Sequence, residues 1–115
     1  MMKLEVFEKS HNFVLNIYQI VNKFPKEEKY RLTDQLIRAC YSIPANIVEG
    51  QNRNTTKDYL NFLYNARGSA YEVKYFLLLA KDLQYLDEIQ YSKLEEEIVV
   101  IIKMLNALIK SLKKV

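Results

Sequence analysis

The sequence predicts an all-α protein: an antiparallel up-down-up-down four-helix bundle with long third and fourth helices and a proline-kinked second helix. Three observations carry this. Apolar residues recur at alternating steps of three and four through four separate stretches, each followed by a proline, a glycine or a charged connector. Two glycines and two prolines in 115 residues leave little material for β-turns or phosphate-cradling loops. Half the chain is apolar and 27% is charged, which excludes a disordered polyampholyte. A chain of this length forms one domain, residues 1–115, and buries roughly 65% of its unfolded surface around one core.

Taken in order, the first helix is predicted over about Val6 to Phe24. Val6, Phe13 and Ile20 recur every seventh residue, as do Phe7, Val14 and Val21, and Pro25 stops the pattern. A charged connector, Pro25 to Lys29, follows. The second helix starts near Arg31 and carries Leu32, Leu36, Ala39, Ile43 and Ile47, with Gly50 placed as its C′ residue. Pro44 lies inside this helix and deletes the bond to the Cys40 carbonyl, so a kink or an opened turn is expected at about Tyr41 to Pro44. Asn54 or Thr55 caps the third helix, which runs to about Tyr85. The fourth, about Glu88 to Lys114, repeats Leu94, Ile98, Ile101, Leu105, Leu108 and Leu112 at 4, 3, 4, 3, 4.

The third helix has apolar residues beyond a single stripe. Tyr59, Phe62, Ala66, Ser69, Val73, Phe76, Ala80 and Leu83 read as its core face. Leu60, Tyr64, Tyr71, Tyr75, Leu78 and Leu79 fall on roughly the opposite side, with Gly68 among them where backbone could approach closely. A helix apolar on two faces needs two partners, so these seven positions are candidates for a homo-oligomer interface. The alternative is that the tyrosines cover neighbouring helices with their hydroxyls in water.

Arg67, Lys74 and Lys81 recur every seventh residue on one flank of that helix. Arg31, Arg38 and Arg53 lie on a polar edge of the second helix with Gln35, Ser42, Asn46 and Glu49. Two readings stand side by side. Ser42, Asn46, Glu49 and Glu72 form a structural polar network satisfied by arginines or by backbone freed near Pro44, because buried unpaired groups are costly. Alternatively, Arg31, Arg38, Arg53, Arg67, Lys74 and Lys81 are nucleic-acid phosphate contacts on an assembled surface. The net charge of +3 permits such a partner without demanding it.

Catalytic constellations are scarce. Glu8 and His11 make one Glu-x-x-His, but a di-iron bundle takes two such motifs and two further glutamates, and His11 is the single histidine. Cys40, the single cysteine, reads as a small core residue with no histidine near it in its helix. No Walker loop, dinucleotide fingerprint or nucleophile elbow is present. The expectation is no enzyme, no metal and no cofactor. The longest run free of Asp, Glu, Lys and Arg is Ser10 to Asn22, 13 residues against the ~18 of a membrane span. Met1 to Ser10 has no apolar signal core, so a cytoplasmic protein without a membrane partner is expected.

The segment Ser42-Ile43-Pro44-Ala45-Asn46-Ile47-Val48-Glu49-Gly50 resembles the four-helix-bundle proteins encoded by intervening sequences of bacterial 23S rRNA genes. Phe24-Pro25, Tyr30-Arg31-Leu32, Gln35 to Ala39 and Gly68-Ser69-Ala70-Tyr71-Glu72 extend the resemblance over nearly the whole chain; Arg31 stands where the family tends to have glycine. The resemblance implies a small cytoplasmic bacterial protein without catalytic activity that forms a homo-oligomer, notably a ring-like pentamer. A similar fold occurs in accessory proteins of diversity-generating retroelements, which bind nucleic acid and a reverse transcriptase. Five copies would carry 5 × (+3) = +15. The expected partners are therefore the chain itself, RNA or DNA, and, in the alternative, a protein for which it acts as adaptor or scaffold.

Overall fold

The structure, a computed structural model, describes residues 4–114 and contains four α-helices: α1 Glu5–Val21, α2 Leu32–Gln51, α3 Thr56–Asp82 and α4 Glu88–Lys113. A single 3₁₀ turn, Lys26–Glu28, lies in the first connector, and no strand occurs among the described residues. At 1.5 Å per residue α3 and α4 are each about 40 Å long, close to the 46 Å long axis of the molecule. The shorter α1 and α2 lie alongside.

Each helix touches only its two neighbours in chain order, and α4 closes the ring onto α1 by a lighter seam. Cross-helix pairs fix the directions. Lys81, Lys74 and Arg67 on α3 meet Glu88, Glu95 and Asn106 on α4, so one helix ascends as the other descends. Gly50 near the end of α2 lies against Tyr59 near the start of α3, while Ser42 meets Ser69 further along, again antiparallel.

The helix ends have identifiable stops. Thr55 caps α3 by accepting from the Asp58 N–H at 3.1 Å. Asp87 and Gln90 cap α4 reciprocally: the Asp87 carboxylate accepts from Gln90 N–H at 2.7 Å, and the Gln90 amide oxygen from Asp87 N–H at 3.2 Å. At the far end of α3 the Tyr85 N–H reaches back to the Ala80 carbonyl and the Gln84 N–H to that of Lys81, the Schellman pattern. Gln84 holds the left-handed position of that motif, at φ 68°.

The core is one cluster fed by all four helices. Ile17, Leu36, Ile43, Ile47, Leu63, Leu77, Leu94, Ile98 and Leu105 are among its fully buried side chains. Phe24, beyond the end of α1, is buried too and packs its ring on Tyr85, with centroids 5.5 Å apart. The first helix thus stops at Val21, three residues before the position expected from apolar spacing; Phe24 joins the core from a turn.

Three further expectations need correcting. Gly50 is not a C′ residue: it sits inside α2, which ends at Gln51, and no glycine has positive φ. Its role is close approach. A Cβ at Gly50 would stand 2.7 Å from Tyr59 Cδ1 and 3.0 Å from Phe62 Cβ. The turn at Tyr41 to Pro44 does not open, since helical backbone is continuous through Pro44. The buried stripe of α3 is Leu63, Ala66, Ala70, Val73, Leu77 and Ala80. Tyr59, Phe62, Ser69 and Phe76 are half-buried at its edge, and Leu83 is 44% exposed. A strict seven-residue repeat drifts about 20° per heptad around a straight helix, which carries Leu83 out of the core.

Candidate interaction surfaces

The surface of α3 that faces away from the core begins as a consequence of helix geometry. With Leu63, Ala70 and Leu77 turned inward, residues one and five positions further on are turned outward. Tyr71 and Tyr75 are 52% and 57% exposed and Leu78 is 38% exposed, while Gly68 lies bare between them and Tyr64. A Cβ at Gly68 would meet nothing within 4 Å. The other candidates differ: Leu60, Tyr64 and Leu79 are half-buried against the subunit's own core. The outward apolar patch is therefore Tyr71, Tyr75 and Leu78 around the Gly68 backbone, rimmed by the half-covered three. Exposed Leu15 and Tyr18 on α1 and Tyr41 on α2 were not singled out by sequence, because each lies beside the apolar stripe of its helix and reads as part of it.

Four of the six candidate phosphate contacts are already paired with carboxylates. Arg38 pairs with Asp34 at 3.1 Å, Arg53 with Glu49 at 2.8 Å, Lys74 with Glu95 at 3.9 Å, and Lys81 with Asp82 and Glu88 at 3.9 Å. The Asp34 hydrogen bond holds the Arg38 guanidinium even more firmly protonated than usual. Arg53 also covers the Phe62 ring, and Lys81 that of Tyr91. Arg67 differs. Its guanidinium donates to the neutral Asn106 side chain at 3.0 Å and lies 5.3 Å from the Tyr64 ring centre, so its charge stays uncompensated. Arg31 is exposed and forms no ion pair among the described residues.

The polar edge between α2 and α3 is a short chain of hydrogen bonds. Ser42 Oγ and Ser69 Oγ are 2.9 Å apart, and the Asn46 amide donates to the Ser42 carbonyl at 2.8 Å and to its hydroxyl at 2.9 Å. Ser69, half-buried rather than core, is the partner that periodicity could not supply. Glu49 is held by Arg53 and does not join this chain, and Glu72 stands apart in solvent. At the opposite end Glu28 joins three elements. One carboxylate oxygen accepts from the Tyr85 hydroxyl at 2.7 Å, the other from the Leu32 N–H at 3.3 Å. The Tyr85 bond, with lesser help from Leu32 and Arg31, pulls the Glu28 carboxyl below its ordinary range, and the same bond pushes the Tyr85 phenol up.

Nothing here assembles a nucleophile or metal centre. Burial pushes the Cys40 thiol far up, away from the thiolate. His11 is exposed, its ring stacked on Phe7 with 6.1 Å between centroids. No group of three or more His, Cys, Asp or Glu among the described residues is placed to hold a metal ion. No helix among them is long and apolar enough to cross a membrane. A shallow groove of about 480 Å³ follows the α1–α4 seam, lined by Lys9, Asn12, Phe13, Lys93, Glu97 and Val100 among others.

Comparison with known proteins agrees with this geometry. The fold matches a crystal structure of a protein of unknown function from the S23 ribosomal protein family of Bacteroides thetaiotaomicron, at TM-score 0.85 and 30% identity, over 91% of this chain and 95% of that one. Among curated proteins none is similar enough to match. Residues 2–107 match the family described as 23S rRNA-intervening sequence protein, and the chain belongs to that family.

Proposed function

We propose that the chain is a non-enzymatic cytoplasmic protein that acts as a homo-oligomeric scaffold, associating through the outward face of α3. The single observation that carries this is the patch of exposed Tyr71, Tyr75 and Leu78 around the Gly68 backbone, where an added Cβ would meet nothing within 4 Å. Aromatic side chains around an exposed glycine allow close helix approach and bury large area at low entropic cost. The family resemblance favours a ring of five. Nucleic-acid binding through Arg31, Arg38, Arg53, Arg67, Lys74 and Lys81 together is the weaker reading. Four of the six are neutralised within the subunit, and a phosphate would have to displace an existing carboxylate at each.

The test is sedimentation of wild-type protein beside Tyr71→Glu/Tyr75→Glu. Wild type is expected at a multiple of 13.7 kDa and the variant at the subunit mass with unchanged far-UV circular dichroism. A variant that keeps the wild-type mass overturns the assignment of this face.

A further inference from the structure

Charge is segregated along α4. From Asp87 to Glu97 it carries five acids and one lysine; from Ile98 to Lys114 it carries Lys103, Lys110, Lys113 and Lys114 and no acid. The acidic half is partly answered by α3, where Lys74 and Lys81 reach Glu95 and Glu88. The basic half has no such pairs: none of its four lysines forms an ion pair among the described residues. From α3, Arg67 adds charge of the same sign: it is held by neutral Asn106 and flanks the same Tyr64 ring whose centre lies 5.6 Å from Lys113 of α4.

We infer that this end of the α3–α4 pair docks the phosphodiester backbone of a nucleic acid, with Lys103, Lys110, Lys113, Lys114 and Arg67 as the contacts. Lys103, Ala107, Lys110 and Lys114 are exposed and share one face, and they run about 16 Å along the helix. One strand presents a charge every ~3.4 Å, so about five phosphates lie within that reach. The helix C-terminus itself contributes roughly half a negative charge, which one of the four lysines offsets with charge to spare.

The chemistry of the face selects this partner over others. Its exposed positions are the lysines, Asn106, Ala107 and Ser111; exposed Val100 lies one turn back in the α1–α4 groove, so no large apolar side chain stands among the lysines to anchor a protein partner or enter a bilayer. Few base-reading groups stand beside the lysines. The Asn106 side-chain oxygen is occupied by Arg67, and both cations crowd the Tyr64 ring, so contact is chiefly to backbone and largely independent of sequence. The site is complete on one subunit and does not rest on self-association; assembly would multiply it.

The test is fluorescence anisotropy of labelled oligo-uridylate with the full chain. Four to six contacts give a roughly 50- to 300-fold loss of affinity between about 50 and 200 mM salt. Lys103→Glu/Lys110→Glu is expected to weaken binding more than ~10-fold at the lower salt. Lys23→Glu/Lys26→Glu, with the same change in net charge at the other end of the bundle, is expected to change it less than ~2-fold. Tyr71→Glu/Tyr75→Glu retains binding, so failure of the assembly proposal is told apart from failure of this one. Absence of binding, a flat salt dependence, or equal loss in the two lysine pairs overturns the inference. So does equal or tighter retention on phosphatidylserine vesicles or poly-glutamate.

Discussion

The two glycines of this chain make opposite predictions for the same substitution. Gly50→Ala places a methyl 2.7 Å from Tyr59 Cδ1 and 3.0 Å from Phe62 Cβ, closer than carbon atoms tolerate, and the second atom is tied to the backbone of α3. Replacing a mid-helix glycine by alanine is worth about 1 kcal/mol in propensity, while overpacking against two such contacts falls in the upper part of its range, about 2–3 kcal/mol. The net expectation is a loss of about 1–2 kcal/mol. Gly68→Ala meets no atom within 4 Å, so in the isolated subunit only the gain of about 1 kcal/mol remains. At about 4 °C per kcal/mol for a domain this size, Tm falls by about 4–8 °C in the first variant and rises by about 4 °C in the second. The assay is thermal unfolding by far-UV circular dichroism, run in the Tyr71→Glu/Tyr75→Glu background so that assembly does not contribute. A Gly50→Ala protein as stable as its parent would refute the close α2–α3 contact on which the antiparallel register depends.

Two other predictions follow from the connector between α3 and α4. Gln84 occupies a left-handed position that costs a side-chain residue about 1–2 kcal/mol, partly offset by glycine's larger unfolded-state entropy, so Gln84→Gly is expected to raise stability by about 0.5–1 kcal/mol in urea unfolding. Glu28 has a depressed carboxyl pKa in the folded state. Its contribution is therefore fully present above the unfolded value of about 4.3 and is lost as pH falls through the lower folded value. Tyr85→Phe removes the dominant cause, so the stability difference between wild type and this variant should shrink as the pH is taken below about 4, and a difference constant with pH would contradict the pairing.

How much of this was legible in sequence depended on whether the cause was local. The number, order and approximate limits of the helices follow from apolar spacing in each segment, and the Thr55 cap from residue type. Ala66, Val73 and Ala80 on the inner face of α3 follow from the periodicity, but Leu63, Ala70 and Leu77 do not, because the bulkier Tyr59, Phe62 and Phe76 beside them draw the stripe to one side. Yet alanine is what lets neighbouring helices close on that side. Gly50 followed by polar residues looks the same whether it ends a helix or admits another; only the position of Tyr59 across α2 and α3 distinguishes the two. The candidate basic residues fared likewise. Arg67 every seventh residue with Lys74 and Lys81 is visible in sequence, but the carboxylates of Glu95 and Glu88 that occupy the lysines come from α4 and depend on its register. The lysines of the α4 end stand out only once Glu88 and Glu95 are seen to be paired with α3 while none of those lysines forms an ion pair among the described residues.

The claim on which the functional account depends is that the outward tyrosines of α3 are covered by another copy of the chain. Its most direct measurement is the wild-type solution mass by light scattering across a dilution series. The account predicts a discrete multiple of 13.7 kDa that persists on dilution. A mass of one subunit at every concentration, with Tyr71 and Tyr75 open to water, would contradict it.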